Sequence, residues 1–377
     1  MSAMMQHIVY HEFLPKILGC ETAARYDLIS LRTGYYSGYD AHCEPTISSE
    51  FSTAAFRFGH SIIRSSFPMM NDFFQNASDP IQLEDNFFHM EHLYKPSGLD
   101  QIIVGLVAAH SENFDRAVVQ DVKDKLFKKR GEQHSGMDLP ALNIQRGRDH
   151  GLQPYNRYRE LCGLAAARRF EEFADVMDED SIAALRTVYR HPDDVDLFPG
   201  LLSERVTTGA MVGPTTACLL AEQFQRLRRC DRFWYENDLP ETRFTPDQLM
   251  EIRKVTLAKV LCNNVPMIRL IQPKVFDAPD DLLNAQVPCQ DLPELDLYEW
   301  LDRQFCVVDH RVINLGKTKR ITPCVACTCT AEGPECHSLR VPSCPKLLEE
   351  FLFSEVIEDT VCVIQCSGVI RQRAGRL

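Results

Sequence analysis

At 377 residues the chain exceeds the usual size of one domain, so a large domain accompanied by a small one is expected. A hydrophobic content of 45% excludes an intrinsically disordered chain. The formal net charge of −12 argues against nucleic acid as a partner, because no basic excess is present to neutralise phosphates. The final stretch, "IRQRAGRL", is locally basic and is interpreted as a solvated end.

The N-terminal stretch, "MSAMMQHIVYHEFLPKILG", is predicted to be helical and does not resemble an export signal. It has no basic region at its start, and His7, His11 and Glu12 interrupt its apolar run. No part of the chain contains the roughly 18 consecutive apolar residues of a membrane-spanning helix. His7 and His11 lie four positions apart on this helix, and we assign both to packing or to the surface.

The stretch "AAFRFGHSIIR" places one histidine in a segment that is otherwise apolar. Four residues recur at helical spacing and would share one buried face: Phe56, His60, Ile63 and Phe67. A histidine on such a face is either a core residue bonded to a neighbour or a ligand facing something other than protein. The residues alone leave both interpretations open.

Two segments further along the chain are also predicted to be helical. The stretch "SENFDRAVVQDVKDKLF" places apolar residues at a spacing of four: Phe114, Val118, Val122 and Leu126. The stretch "DLPALNIQR" has Asp138 and Pro140 at a plausible helix start. Within the helix that follows, Asn143 and Arg146 are three residues apart and hence neighbours on one face. Taken by itself, this charged segment is a salt-bridged helix end.

The stretch "TPDQLMEIRKV" carries the signals of a helix start. Thr245 is the predicted N-cap, Pro246 occupies the first helical position, and Gln248 completes a capping box. Apolar residues follow at helical spacing: Leu249, Ile252 and Val255.

The cysteines divide the chain into two regions. Fifteen are present, and eight fall close to the end: Cys306, Cys324, Cys327, Cys329, Cys336, Cys344, Cys362 and Cys366. This density favours a small disulfide-bonded module in an oxidising compartment, with a zinc site as the alternative because "CVAC" is a C-x2-C pair. The composition changes after "LDLYEW", so the predicted domains are residues 1–303 and 304–377.

A glycosylation sequon is formed by Asn76 and Ser78 in "QNASDP", and it has meaning only in a secreted protein. A secreted cysteine pattern without an export signal is contradictory. The simplest interpretation is that the sequence is incomplete at its front end.

Three stretches together closely resemble the animal haem peroxidase family: "AAFRFGH", "LNIQRGRDHG" and "CDRFWYEN". The resemblance implies a mainly α domain that binds b-type haem. It implies that His60 is the proximal ligand of the haem iron, that Asn143 is hydrogen-bonded to the other ring nitrogen, and that Arg146 pairs with a haem propionate. These residue types suit that chemistry, because iron needs a neutral imidazole held in one tautomer and an anionic propionate needs a cation.

A peroxidase also needs a distal histidine that moves a proton between the peroxide oxygens and an arginine that stabilises the developing charge. The resemblance places both in motifs upstream of Met1, together with the family's calcium loop and the acidic residues that esterify the haem. We therefore assign no catalytic residue in the chain. We expect a domain truncated at its N-terminus, without the calcium site and inactive as it stands.

The stretch "CVACTCTAEGPECHSLRVPSC" resembles a von Willebrand factor type C module, a small extracellular domain of short strands. A peroxidase domain followed by such a module is similar to the peroxidasin group of extracellular matrix peroxidases. One difference is that the module follows here almost directly, whereas that group has a long linker. Eight cysteines allow 105 pairings, so the connectivity cannot be deduced.

The resemblance implies two disulfides in the peroxidase part: Cys162 with Cys218, and Cys262 with Cys289. Cys20 and Cys43 are candidates to pair with each other. Cys230 stands where the family usually has glycine, and it is our candidate for the odd thiol. A buried structural cysteine is the default for Cys230, with an intermolecular bridge as the alternative.

The sequence thus predicts a mainly α haem peroxidase domain and a small disulfide-rich β module in a secreted protein. The expected reaction is reduction of hydrogen peroxide through haem, followed by oxidation of a halide or phenolic donor. An extracellular matrix protein is the expected partner of the module, with no nucleic acid or membrane partner. The alternative is a secreted interaction protein, derived from a peroxidase, that no longer catalyses.

Overall fold

The computed structural model describes residues 1–129, 131–132, 135–301 and 305–374. The chain forms two compact units, Met1–Asp296 and Leu297–Leu377. The boundary expected at residue 303 lies outside the described residues. Helices make up most of the regular structure of the first unit, which confirms the mainly α prediction.

The first unit is built from short helices and two small strand pairs. Its described α-helices are α1 Ser2–Ile8, α2 Leu14–Leu18, α3 Cys20–Arg25, α4 Ser49–Thr53, α5 Leu83–Asn86, α6 Gly98–Ala108, α7 Gln120–Lys123, α8 Leu139–Asp149, α9 Tyr155–Leu161, α10 Glu179–Val188, α11 Leu197–Leu202, α12 Pro214–Cys230, α13 Pro246–Ile252 and α14 Leu257–Asn264. The antiparallel strand pairs are β1 Ser66–Met70 with β2 Asn76–Gln82, and β3 Leu270–Ile271 with β4 Val287–Pro288. Across the described part of the chain, no helix combines the length and apolar character needed to cross a membrane.

Two predicted helix starts are confirmed. At α13, the Thr245 hydroxyl accepts a hydrogen bond from the N–H of Gln248 (3.2 Å), and the Gln248 side chain accepts one from the N–H of Thr245 (3.0 Å). At α8, the Asp138 carboxylate accepts a hydrogen bond from the N–H of Ala141 (2.9 Å). Both caps satisfy helix N–H groups that have no partner within the helix.

The single helical face expected from Phe56 to Phe67 is wrong. The chain forms α4, then a 3-10 turn over Ala55–His60, and Phe67 lies in β1. Pro68 disfavours helix for itself and for the residue before it, so the chain is extended there. Phe56, which the helix would bury, is 45% exposed.

The helix expected from Phe114 to Leu126 is also wrong. Within these residues α7 alone is α-helical, and it is one turn long. The Asp115 carboxylate accepts a hydrogen bond from the N–H of Ala117 (2.7 Å), a local turn that competes with helix. Phe114 and Leu126 are nevertheless buried, so the spacing identified core positions but not the element that carries them.

An apolar cluster in the first unit combines α6, α14 and the chain around β3. Its buried members are Val104, Val107, Ala258, Val265, Ile268, Ile271 and Leu292. On another side α6 packs against β1 at Gly105, where an added Cβ would clash with the carbonyl oxygen of Pro68. A glycine permits this close backbone approach, which holds the strand that follows the His60 turn.

A buried ion-pair network explains part of the stretch "CDRFWYEN". The Glu236 carboxylate is fully buried and lies 2.9 Å from the guanidinium of Arg228 and 3.3 Å from that of Arg253. It also accepts a hydrogen bond from the N–H of Leu31 (2.9 Å). The Arg228 guanidinium lies 4.3 Å from the ring centre of Tyr36. A buried carboxylate needs such partners, so Glu236 is a structural residue.

The disulfides of the first unit are Cys43–Cys230, Cys162–Cys218 and Cys262–Cys289. The first of these shows that two expectations are wrong: Cys43 does not pair with Cys20, and Cys230 is not the odd thiol. The N–H of Asp40 donates to the carbonyl of Arg229, and the Arg229 guanidinium lies 3.0 Å from the Asp40 carboxylate. These contacts bring Cys43 to the end of α12, and they leave Cys20 as a free, exposed thiol.

The second unit begins with strands and ends with helices. Its elements are the antiparallel pair β5 Phe305–Val308 and β6 Arg311–Asn314, the sheet β7 Thr318–Thr322, β8 Val325–Thr330 and β9 Gly333–Ser338, and the helices α15 Cys344–Glu350, α16 Phe353–Glu358 and α17 Thr360–Ala374. Strands were predicted in this unit, whereas its three helices were not.

All eight cysteines of the second unit form disulfides: Cys306–Cys329, Cys324–Cys362, Cys327–Cys336 and Cys344–Cys366. Cys324, Asp359 and Cys362 converge, but the disulfide leaves neither sulfur as a thiolate. Since metals bind the thiolate form, the zinc alternative is wrong for these cysteines. Cys324–Cys362 attaches the helical segment to the chain between β7 and β8.

Candidate functional site

A hydrogen bond between Asn143 and His60 joins two residues that are 83 positions apart. Nδ2 of Asn143 lies 2.8 Å from Nδ1 of His60. His60 is half-buried at the end of the Ala55–His60 turn, and Asn143 is fully buried on α8. The Asp138 cap fixes the start of α8, one turn before Asn143. The two residues singled out from separate motifs therefore form one site.

Arg57 is a third member of the site, and it was not predicted from the sequence. Its Nη1 donates a hydrogen bond to Oδ1 of Asn143 (2.8 Å), and its Nε donates to the carbonyl of Ser52 (3.1 Å). The Asn143 amide is thus held at both ends, by Arg57 and by His60. The spacing in "FRFGH" could have indicated this role, because Arg57 lies three residues before His60, which is one turn of a 3-10 helix.

The environment of His60 favours a neutral imidazole. Burial and the positive charge of Arg57 lower the pKa of His60, whereas the hydrogen bond between the ring and Asn143 acts in the opposite direction. Burial also lowers the pKa of Arg57, as does the nearby charge of Arg146. The Asn143 amide contacts Nδ1, and no hydrogen bond to Nε2 occurs among the described residues. A neutral imidazole that binds a metal through Nε2 carries its proton on Nδ1, so ligation requires Nδ1–H to donate to the amide oxygen of Asn143. A neutral ring with one nitrogen held and the other open suits a metal ligand.

Arg146 and Arg148 on α8 differ in what they contact. Arg148 forms two hydrogen bonds to the Asp196 carboxylate: Nε donates to Oδ1 (3.0 Å), and Nη2 donates to Oδ2 (2.7 Å). Arg146 is half-exposed and lies 3.4 Å from the exposed carboxylate of Asp149, one turn further on the same helix. An exposed ion pair of this kind contributes little, so Arg146 can exchange Asp149 for another anion. This arrangement suits the contact to a propionate that the resemblance implies.

Two apolar side chains that are adjacent in sequence to site residues are exposed. Phe56, next to Arg57, is 45% exposed and stacks on Phe51 with ring centres 4.8 Å apart. Leu142, next to Asn143, is 41% exposed.

The remaining predicted positions form no hydrogen bond with His60 or Asn143 among the described residues. His7 is buried, and its Nδ1 is hydrogen-bonded to the hydroxyl of Tyr235 (2.9 Å), so it is a packing residue. His11 is exposed and stacks on His7. Asn76 is exposed at the start of β2.

A neutral histidine backed by an amide, with an arginine at the rim of a mainly helical unit, is the arrangement expected of a haem protein. Comparison with known proteins agrees. The model of the animal haem peroxidase family matches residues 1–276. Peroxidase A from Dictyostelium discoideum has a similar structure, with a TM-score of 0.61 at 33% identity over 72% of this chain and 49% of that one.

Several curated relatives show similarity over the same region. Heme peroxidase 2 of Caenorhabditis elegans is 38% identical over 305 residues, which is 80% of this chain and 42% of the relative. Chorion peroxidase of Drosophila melanogaster is 38% identical over 304 residues, which is 79% of this chain and 37% of the relative. The human peroxidasin homolog is 37% identical over 306 residues, which is 80% of this chain and 20% of the relative.

The chain belongs to the animal haem peroxidase family, and this membership implies a haem-iron cofactor. The chain spans less than half the length of each of these curated relatives. Rice fatty acid alpha-dioxygenase, at 18% identity and a TM-score of 0.56, shares the fold alone.

Proposed function

We propose that this chain supplies the proximal side of a haem peroxidase, with His60 as the axial iron ligand through Nε2. Asn143 orients the ring, and Arg146 contacts a haem propionate. The observation that carries the proposal is the 2.8 Å contact between Asn143 and Nδ1 in a site that keeps His60 neutral. Bound haem supplies the redox chemistry that reduces hydrogen peroxide and oxidises a halide or phenolic donor.

Arg57 is a positioning residue in this proposal. It holds the Asn143 amide in place from the side opposite His60, so the ring is oriented through two consecutive hydrogen bonds. Its positive charge also disfavours protonation of His60. Both effects keep the imidazole available as a neutral ligand.

The first test is haem binding by the 377-residue chain. Titration with haemin should produce the Soret band of a histidine-ligated haem in the wild type and not in His60→Ala. His42→Ala is the matched control, since His42 is an exposed histidine whose backbone N–H donates to Asp40. An unchanged spectrum in His60→Ala would contradict the ligand assignment.

We further propose that residues 1–377 alone bind haem without accelerating peroxide chemistry. No residue of this chain is assigned to the distal proton transfer or to the distal charge stabilisation, nor to the calcium site of the family. Each of those two distal contributions is typically worth about 10²-fold or more. The reconstituted chain should oxidise guaiacol or bromide at a rate close to that of free haemin.

The activity assay also addresses the alternative function, a secreted interaction protein derived from a peroxidase. A rate about 10³-fold above that of haemin would exceed what the proximal residues supply and would contradict our view of the chain. A rate equal to that of haemin, together with His60-dependent haem binding, supports a proximal half that needs further chain for activity.

We propose an extracellular location for the protein. Seven disulfides support it, because such bonds persist in oxidising compartments. The exposed Asn76 is the proposed glycosylation site, and Asn76→Gln should remove a glycosidase-sensitive mass from secreted protein. The second unit is proposed to be a von Willebrand factor type C-like module that contacts an extracellular matrix protein.

A further inference from the structure

A concentrated positive charge lies in the second unit, in a chain of formal net charge −12. Between Asp309 and Glu332 the sequence has no acidic residue, and it has these basic ones: Arg311, Lys317, Lys319 and Arg320. All four are exposed. They lie on β6, on β7 and in the turn that joins these strands, and we call them the basic edge.

Backbone contacts place the members of the basic edge together. Nη1 of Arg311 donates to the carbonyl oxygen of Arg320 (3.2 Å), and Nζ of Lys319 lies 3.5 Å from the carbonyl oxygen of Val312. Both contacts join β6 to β7. Lys317 lies in the turn, where its N–H donates to the carbonyl of Asn314 (2.9 Å). The four cations therefore share one edge of the unit.

The basic edge differs from another dense basic segment, residues 123–129, in its lack of ion pairs. That segment also holds four lysines, and each lies within ion-pair distance of a carboxylate: Lys123 with Asp124, Lys125 and Lys128 with Glu84, and Lys129 with Glu132. No member of the basic edge has a carboxylate within ion-pair distance among the described residues. Its charge is available to an external partner.

We propose that the basic edge binds a linear sulfated polysaccharide. Residues of a strand advance by about 3.3 Å each, so Lys317 and Lys319 spread their charges over roughly 7 Å on one face, with Arg311 beside them. Arg320 lies on the other face of β7, where its guanidinium is 4.8 Å from the ring centre of Phe351. A chain with repeated sulfate groups contacts Arg311, Lys317 and Lys319 together, whereas a single small anion contacts one or two. The four disulfides of the unit favour an extracellular partner of this kind over a nucleic acid.

An anionic membrane is the less suitable partner, because the exposed apolar side chains of β5 and β6 point away from Arg311. Val307 and Val312 are cross-strand partners and both are exposed. Residues alternate between the two faces of a strand, so Val312 lies on the face opposite Arg311 and the buried Ile313. A membrane surface would use cations and apolar groups on the same side.

The test measures binding of the full chain to immobilised heparin. Lys317→Glu combined with Lys319→Glu should weaken the affinity by on the order of tenfold or more, since each basic group near a polyanion contributes measurably. Lys123→Glu combined with Lys129→Glu is the matched control, because it changes the net charge by the same amount at exposed lysines elsewhere. It should leave heparin affinity unchanged. Lys317→Gln combined with Lys319→Gln should give a smaller loss in the same direction, with wild-type thermal unfolding.

The outcomes separate the candidate partners. Loss of heparin binding in the basic-edge variants alone supports the proposal. Equal weakening by the control pair would show a general charge effect and overturn it. Stronger binding to phosphatidylserine vesicles or to duplex DNA than to heparin would also overturn it, in favour of that other polyanion.

Discussion

Arg57 controls the state of His60 through charge as well as through the Asn143 amide. Replacing Arg57 with alanine removes a positive charge that lowers the pKa of His60, so that pKa should rise toward its ordinary value. The change also leaves Oδ1 of Asn143 without its donor, which loosens the ring and should weaken haem binding. Proton NMR of the His60 ring across pH measures the first effect, and haemin titration the second.

Arg146→Ala is the control for this prediction. Arg146 shifts the pKa of Arg57 but is not among the charges that shift that of His60. Its removal should therefore leave the titration of His60 in place while it weakens the haem complex. A His60 pKa that stays constant or falls in Arg57→Ala would contradict the assigned role of Arg57.

His7 gives the fold a dependence on pH that is separate from the haem site. Burial, the stacked His11 and the nearby Arg253 lower its pKa from 6.5 to about 4, although its backbone hydrogen bond acts in the other direction. Because the folded pKa is below the unfolded one, the neutral ring stabilises the fold above pH 6.5. That contribution is lost as the pH falls from 6.5 toward 4.

The free energy of unfolding should therefore drop by about 2 kcal/mol between pH 7 and pH 5 on account of His7. Urea unfolding at the two pH values measures the drop. His7→Gln should be less stable at pH 7, because it disturbs the contact with Tyr235, but it should lose less on acidification. An equal loss in His7→Gln and in wild type would assign the effect to other groups.

Helices whose start signals are local in the sequence were predicted correctly. The caps at Asp138 and Thr245 involve residues three positions apart, and both formed as expected. The helices predicted from apolar spacing around Phe56 and Phe114 did not form as expected. Turns that pack on a core can also have an apolar residue at every third or fourth position. The features that decided those segments were Pro68 and the Asp115 turn, which compete with helix locally.

The contact between α6 and β1 links the fold to the site. Gly105→Ala would place a methyl group against the carbonyl of Pro68, so α6 and β1 must separate. Overpacking of this kind costs about 1–3 kcal/mol. Because β1 follows the His60 turn closely along the chain, haem affinity should fall as well as the urea midpoint.

Gly368→Ala provides the comparison, since an added Cβ at Gly368 meets nothing within 4 Å. It should leave the first unit and its haem affinity unchanged. Wild-type stability in Gly105→Ala would show that the close approach of α6 to β1 is not maintained in solution.

The first unit depends on contacts between distant parts of the chain. The N–H of Leu257 donates to the Glu12 carboxylate (2.9 Å), 245 positions away, and Asn143 meets His60 across 83. The motifs identified His60, Asn143 and Arg146 because each lies in a long recognisable stretch. No recognisable stretch of sequence indicates the Cys43–Cys230 pairing or the helices of the second unit. These features could not be predicted, because they depend on which surfaces meet after folding.

Cys43–Cys230 encloses most of the site residues in one covalent loop. The two cysteines are 187 positions apart, and both His60 and Asn143 lie between them. A long loop loses much conformational freedom in the unfolded state when it is closed, so Cys43→Ser combined with Cys230→Ser should lower the free energy of unfolding by about 2–5 kcal/mol. The fluorescence of the buried Trp234, close to Cys230 in sequence, can follow urea unfolding of this unit.

Cys20→Ser serves as the control, because Cys20 is a free and exposed thiol and its removal should leave the urea midpoint unchanged. Haem affinity should also decrease in the double variant. Without the bond, the end of α12 and the loop of Cys43 can separate. This separation gives α4 and the His60 turn more freedom to change position. If the double variant and Cys20→Ser unfold at the same urea concentration, the Cys43–Cys230 bond does not form in solution. The pairing of Cys20 with Cys43, which the sequence suggested, would then have to be reconsidered.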